Sequence, residues 1–118
     1  MKKIVVAFIL ISILTSCVDK EKKVITKKVN YSSIINQLER MVKNEQRIMY
    51  SHKPNETKAV KDSLYKLQEE ILKANTDSIK HLFKNYGFLG FDKVGKKGSN
   101  NFWLLVQHSD HDITFQEK

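Results

Sequence analysis

The chain has 118 residues, 41% of them hydrophobic, with 21 Lys and Arg against 13 Asp and Glu and a net charge of +8. That length holds one domain, and a single cysteine excludes an intramolecular disulfide. So basic a balance suits an anionic counterpart, and which one depends on where the chain is sent.

The N-terminus carries that information. Lys2 and Lys3 form a short basic region, and Ile4 to Leu14, broken only by Ser12, is an apolar run about as long as a signal-peptide core. It is too short to span a bilayer, which needs about 20 residues. The run closes on Leu14-Thr15-Ser16-Cys17, which resembles the bacterial lipobox: an apolar residue, two small ones, and the cysteine that becomes the lipidated N-terminus. The resemblance implies a lipid anchor at Cys17 and a place in the bacterial cell envelope, on a membrane and face that Val18-Asp19 do not specify. The alternatives are a plain secreted protein cleaved near Ser16 and a buried leader helix, although an Ala-x-Ala-like cleavage site is missing. Loss of residues 1–16 leaves 102 residues and a charge of +6, since Lys2 and Lys3 go with the leader. A protein outside the cytoplasm has little access to nucleic acid, so the expected counterparts are the membrane itself, anionic lipid headgroups or envelope polymers.

Val18 to Asn30 carries five lysines and no helical apolar period, and reads as a charged tether between the lipidated cysteine and a single small domain over residues 31–118. Ser32 or Ser33 is a candidate N-cap. Ile34, Leu38, Met41, Val42, Glu45, Ile48 and Met49 then recur at spacings of three and four, predicting an amphipathic helix to about Tyr50 with one polar residue, Glu45, on its apolar stripe. Pro54-Asn55 breaks it. A second helix is predicted from about Glu56 to Tyr86, with Val60, Leu64, Leu67, Ile71, Ile79, Leu82, Phe83 and Tyr86 facing inward, and the two pack as an antiparallel hairpin. Asn75-Thr76-Asp77 interrupts the pattern. Either the helix breaks and restarts with Thr76 or Asp77 as cap, or Asn75 faces inward and holds a partner; a break or a surface position is the expected outcome.

Gly87 is predicted to end that helix with positive φ. A glycine-rich loop to Gly98 follows, and its apolar Phe88, Leu89, Phe91 and Val94 imply that it folds over the core. Gly90 to Lys97 approaches a phosphate-loop pattern, but Lys97 stands where Ser or Thr is required and no strand precedes it, so no nucleotide site and no cofactor is expected. Lys93, Lys96 and Lys97 remain a weak candidate anion site beside a helix N-terminus; solvated lysines are the bland reading. Ser99 is predicted to cap a short third helix over Asn100 to Ser109. Phe102 to Val106 is apolar on every face, so that helix is expected to be buried, a strand being the alternative.

The chemistry-bearing residues cluster behind it. On a continued helix His108, His111 and Asp112 share one face, a possible ligand set for zinc or iron. His108 with Asp110 is a candidate acid–base pair, and Gln107 is a further candidate catalytic residue. The competing reading is structural, since polar groups ending a buried helix must be hydrogen-bonded. At least one of Gln107, His108 and Asp110 is expected to be buried, with the glycine loop and Glu45-Gln46 among its partners. Asp112 is a candidate cap of a fourth helix.

Asn75-Thr76, Tyr86-Gly87-Phe88, Val94-Gly95, Trp103-Leu104-Leu105-Val106-Gln107-His108-Ser109-Asp110 and Phe115-Gln116, with Glu45-Gln46 in the first helix, resemble an uncharacterised bacterial domain family. The resemblance covers Glu45 to Gln116. It implies a mainly α domain, common on exported or lipid-anchored proteins, with no established activity. The family's pattern continues past Phe-Gln, so a natural short form or a fragment is expected here, with Phe115 short of packing. Three functions follow as expectations: a binding or structural lipoprotein, favoured because the catalytic signals are weak; an envelope hydrolase using His108 and Asp110, with or without metal; and an inhibitor or immunity-type partner of another envelope protein.

Overall fold

The computed structural model describes residues 28–118; the leader, Cys17 and the tether through Lys27 lie outside them. Four helices follow in order: α1 (Tyr31–Met49), α2 (Lys58–Tyr86), α3 (Phe91–Gln107) and α4 (Ile113–Gln116). The protein is mainly α, with no strand among the described residues.

Asn30, rather than Ser32 or Ser33, caps α1: its side chain accepts from Ser33 N–H at 3.3 Å. Asn caps as well as Ser does, and the earlier start lets Tyr31 pack edge-on against Tyr86, ring centroids 6.4 Å apart. The predicted stripe turns inward, burying Ile34, Leu38, Met41, Val42, Glu45 and Ile48. Thr57 caps α2. Because Tyr31 meets Tyr86 and Glu45 meets Asn75, α2 runs antiparallel to α1. Lys97 bonds Glu39 and His108 bonds Glu45, so α3 returns parallel to α1. Leu38, Ile79, Leu89, Phe102 and Leu105 fill the centre of the three-helix packing, each at most 2% exposed.

The register explains two expected core residues that are not in the core. Val60 and Leu67 are 45% and 40% exposed. With Glu45 opposite Asn75 and α1 ending at Met49, the first half of α2 runs past the end of α1 and has no helix across from it. Nor does α2 break at Asn75-Thr76-Asp77. The Asn75 amide finds a partner on α1 and leaves its own backbone alone, and Thr76 Oγ1 lies 2.9 Å from the Leu72 carbonyl one turn back, a bond that an unbroken helix accommodates.

The glycine segment is tighter than a loop. Gly87 ends α2 with its N–H on the Phe83 carbonyl at 2.8 Å, and helix resumes at Phe91. A kink at Gly95 interrupts α3, and the helix continues beyond it, so Ser99 is not a cap but a buried residue inside α3. Leu89 and Val94 enter the core while Phe88 and Phe91 remain 54% and 63% exposed. The second part of α3 also has one inward face only: Phe102 and Leu105 are buried, whereas Trp103, expected to be buried, is 55% exposed. Phe115 is better packed than expected, 7% exposed and edge-on to Phe83 at 6.0 Å, because α3 ends in a turn that brings α4 back onto the core.

Gly87 (φ 67°, ψ −158°) and Gly95 (φ 68°, ψ 176°) both have extended ψ at positive φ, a region essentially closed to residues with a Cβ. An added Cβ at Gly95 would meet no atom within 4 Å, so Gly95→Ala isolates backbone strain. We expect it to destabilise by about 1–3 kcal/mol, and Gly87→Ala by a similar amount. A neutral Gly95→Ala in urea titration would show that the kink relaxes at no cost.

Candidate functional site

Helix α3 stops at Gln107 because the chain turns there. His108 N–H closes on the Leu104 carbonyl, and Asp112 N–H bonds Ser109 O at 2.8 Å. The continued helix that would have aligned His108, His111 and Asp112 does not exist. Among the described residues no group of three or more His, Cys, Asp or Glu is placed to hold a metal ion. Asp112 instead caps α4 through Phe115 N–H (3.1 Å) and accepts from Lys80 Nζ (2.6 Å).

The Lys80 hydrogen bond, aided by the Phe115 N–H and the Lys80 charge, holds the Asp112 carboxyl below its ordinary value of 3.8. The same bond raises Lys80 above 10.5. A carboxyl lowered in the folded state adds stability that is present above pH 3.8 and lost as pH falls through the lowered value. Both groups are solvent-accessible, so the contribution is screened and small. We expect acid to loosen α4 below pH 3.8, and Asp112→Asn to remove that part of the acid response. Tm measured against pH in both proteins checks this; identical acid limbs would remove Asp112 from it.

His108 does not pair with Asp110. Asp110 accepts from Gln116 Nε2 at 3.2 Å, and that amide also donates to the Val106 and Gln107 carbonyls, each at 3.0 Å, satisfying the last turn of α3. The Gln107 side chain is exposed. The partner of His108 is Glu45 on α1, which bonds its Nδ1 through Oε1. Glu45 Oε2 accepts from Asn75 Nδ2 of α2 at 3.0 Å. Glu45 is 2% and Asn75 9% exposed, whereas the His108 side chain is 32% exposed. One carboxyl thus ties all three helices together at the end of α3. Below it Thr76 Oγ1 lies 2.9 Å from the fully buried Ser109 Oγ, which donates to Leu105 O. Gln46, the neighbour of Glu45, faces solvent.

His108 stands on the wall of an open cleft of about 310 Å³ formed where α2 outruns α1, with Tyr65, Gln68, Glu69, Leu72, Lys73, Asp110 and His111. A smaller recess, lined partly by the same residues, reaches Glu45 itself. Lys73 Nζ donates to Glu69 Oε1 at 2.7 Å, which raises the lysine and lowers the glutamate from their ordinary values. His108 Nε2 has no hydrogen-bond partner among the described residues. The arrangement is a partly exposed histidine on the cleft wall whose Nδ1 is fixed by a buried carboxyl.

The three lysines of the glycine segment do not form a common site. Lys93 Nζ donates to the Tyr86 (2.7 Å) and Phe88 (3.1 Å) carbonyls at the end of α2. Lys97 pairs with Glu39 at 3.1 Å, and Lys96 is exposed. Reading the chain alone missed Tyr65, Gln68, Glu69, Leu72 and Lys73, because nothing local marks where α2 passes the end of α1. The signal for Glu45 was legible as the single polar residue on an apolar stripe. No family model, curated protein or solved structure matches the chain.

Proposed function

We propose that the protein is a lipid-anchored binding module of the bacterial cell envelope whose ligand sits in the His108 cleft. The leader supports the anchor: Lys2-Lys3, the apolar run to Leu14, then Leu14-Thr15-Ser16-Cys17. One observation carries the binding role. Glu45 occupies a core position of α1, where an apolar side chain would be cheaper by the desolvation of a carboxyl, on the order of several kcal/mol. What Glu45 achieves there is to hold the imidazole of His108 in one orientation at the cleft.

The test is photo-crosslinking in cells with benzoylphenylalanine in place of Tyr65 on the cleft wall. The expected result is an adduct that disappears with His108→Ala and does not form from the same probe at Arg40 on the exposed side of α1. No adduct from the cleft position overturns the binding role. The anchor is tested separately with a clickable fatty acid: label on Cys17 is expected, and label that persists in Cys17→Ser overturns it.

A second reading, an envelope hydrolase, is favoured by the same dyad. With Nδ1 held by Glu45, Nε2 is the nitrogen left to take a proton from a water in the cleft. Glu45 then orients the imidazole, in place of the acid–base pairing with Asp110 that was expected. Ester turnover abolished by His108→Ala, with folding unchanged, would favour this reading over simple binding.

A further inference from the structure

We infer that the aromatic face formed by Phe88, Phe91 and Trp103 along α3 seats the domain on an anionic lipid surface. This rests on the lipid-anchor reading above. Three large aromatics at 54%, 63% and 55% exposure are unusual in so small a domain, and they share one open groove along α3. Phe88 is held from beneath by Phe102, edge-on at 5.5 Å, which fixes this ring of the patch. Exposed apolar surface of this kind marks an interaction site, and Trp beside Phe is the composition of a membrane interface.

Two observations select lipid as the occupant. The first is where the tether ends. Lys28 lies eleven residues on from Cys17, a segment that reaches at most about 40 Å when fully extended. It leads straight into Tyr31, whose ring packs against Tyr86, two residues before Phe88. The tether therefore joins the domain at this end of the bundle, the end from which a lipid on Cys17 draws it toward the bilayer. The second is charge. Lys28, Lys84 in the last turn of α2, and Lys96 are all exposed, and Asp92 is the acid that lines the groove itself. Lys96 and Trp103 are seven residues apart on the same helical segment, so they share a face. Each lysine near an anionic leaflet adds to the attraction. One acyl chain binds a membrane only marginally and a second contact makes the attachment stable.

Trp103 is the only tryptophan and reports on its own environment. The full lipidated chain is reconstituted on vesicles of phosphatidylglycerol and phosphatidylethanolamine, and separately on phosphatidylcholine alone. On the anionic vesicles the expected result is a blue-shifted emission, a several-fold loss of iodide quenching, and quenching by brominated acyl chains. Phe91→Ser, at a residue with little packing to lose, should restore iodide access; Phe88→Ser should do the same if far-UV dichroism shows it folded. Fatty-acid labelling of the same preparation separates the two claims. Labelled protein whose Trp103 stays as open to iodide as in solution overturns the lipid seat and leaves the anchor. Unlabelled protein that leaves the vesicles overturns the anchor and the seat with it. Trp103 shielded in native envelopes but open on pure lipid overturns lipid as the occupant in favour of a protein.

Discussion

Glu45→Ala should destabilise the protein by about 3 kcal/mol in a urea titration, an effect near the lower end for breaking a buried polar pair. The carboxyl is 2% exposed and bonds groups on two other helices. Its loss strands the Asn75 amide, which is 9% exposed; such an orphan costs about 1–3 kcal/mol. His108 loses its partner too, but its partly exposed ring can turn to water, which keeps the total from rising further. The sharper measurement replaces the whole set. A variant with Glu45, Asn75 and His108 all changed to Leu has no orphan left, and buried polar triads are often matched or bettered by apolar side chains. Its stability should fall within about 1 kcal/mol of the parent or above it, while the Tyr65 crosslink is lost. If the triple variant is as unstable as Glu45→Ala, the three residues serve the fold and the ligand-site reading fails.

Phe102→Ala should cost about 3–5 kcal/mol, the range for emptying a fully buried aromatic site. Phe102 is 0% exposed among residues of the central cluster, and its edge-on contact with Phe88 adds about 0.5–1.5 kcal/mol beyond area. For the 91 described residues a total stability of roughly 5–14 kcal/mol is typical, so the variant gives up between about a fifth and all of it. The same substitution removes the support under Phe88. Trp103 emission should therefore change in the folded protein at low urea. A loss below about 1.5 kcal/mol would mean that Phe88 swings in to fill the void, and the exposed aromatic face would then be an adaptable surface, not a platform.

Periodicity and caps were readable without any structure, because they depend on neighbours within a few residues. The spacing of Ile34, Leu38, Met41 and Val42 marks the buried face of α1, Gly87 marks the end of α2, and Asp112 marks the start of α4. The Gln107–Asp110 stretch was singled out as the polar end of an apolar run. None of Gln107, His108 and Asp110 is buried, where at least one was expected to be, because the turn after α3 carries them to the surface. Their partners were not readable. His108 has a carboxylate two residues away in Asp110, yet bonds one 63 positions distant. The turn after Gln107 sends Asp110 toward Gln116, and the parallel course of α1 and α3 brings Glu45 to the ring. Asn75 looked like a helix breaker, since its amide competes for the backbone in isolation. Packed against α1 it meets a carboxylate instead, and the helix runs through. The offset that places Glu45 opposite Asn75 also leaves the start of α2 unpaired, and that overhang makes the cleft. Local chemistry thus determined which segments are helical and which residue is odd on each stripe. Only the relative register of three helices decided which odd residues meet, because contacts between distant positions are set by core packing that no local pattern records.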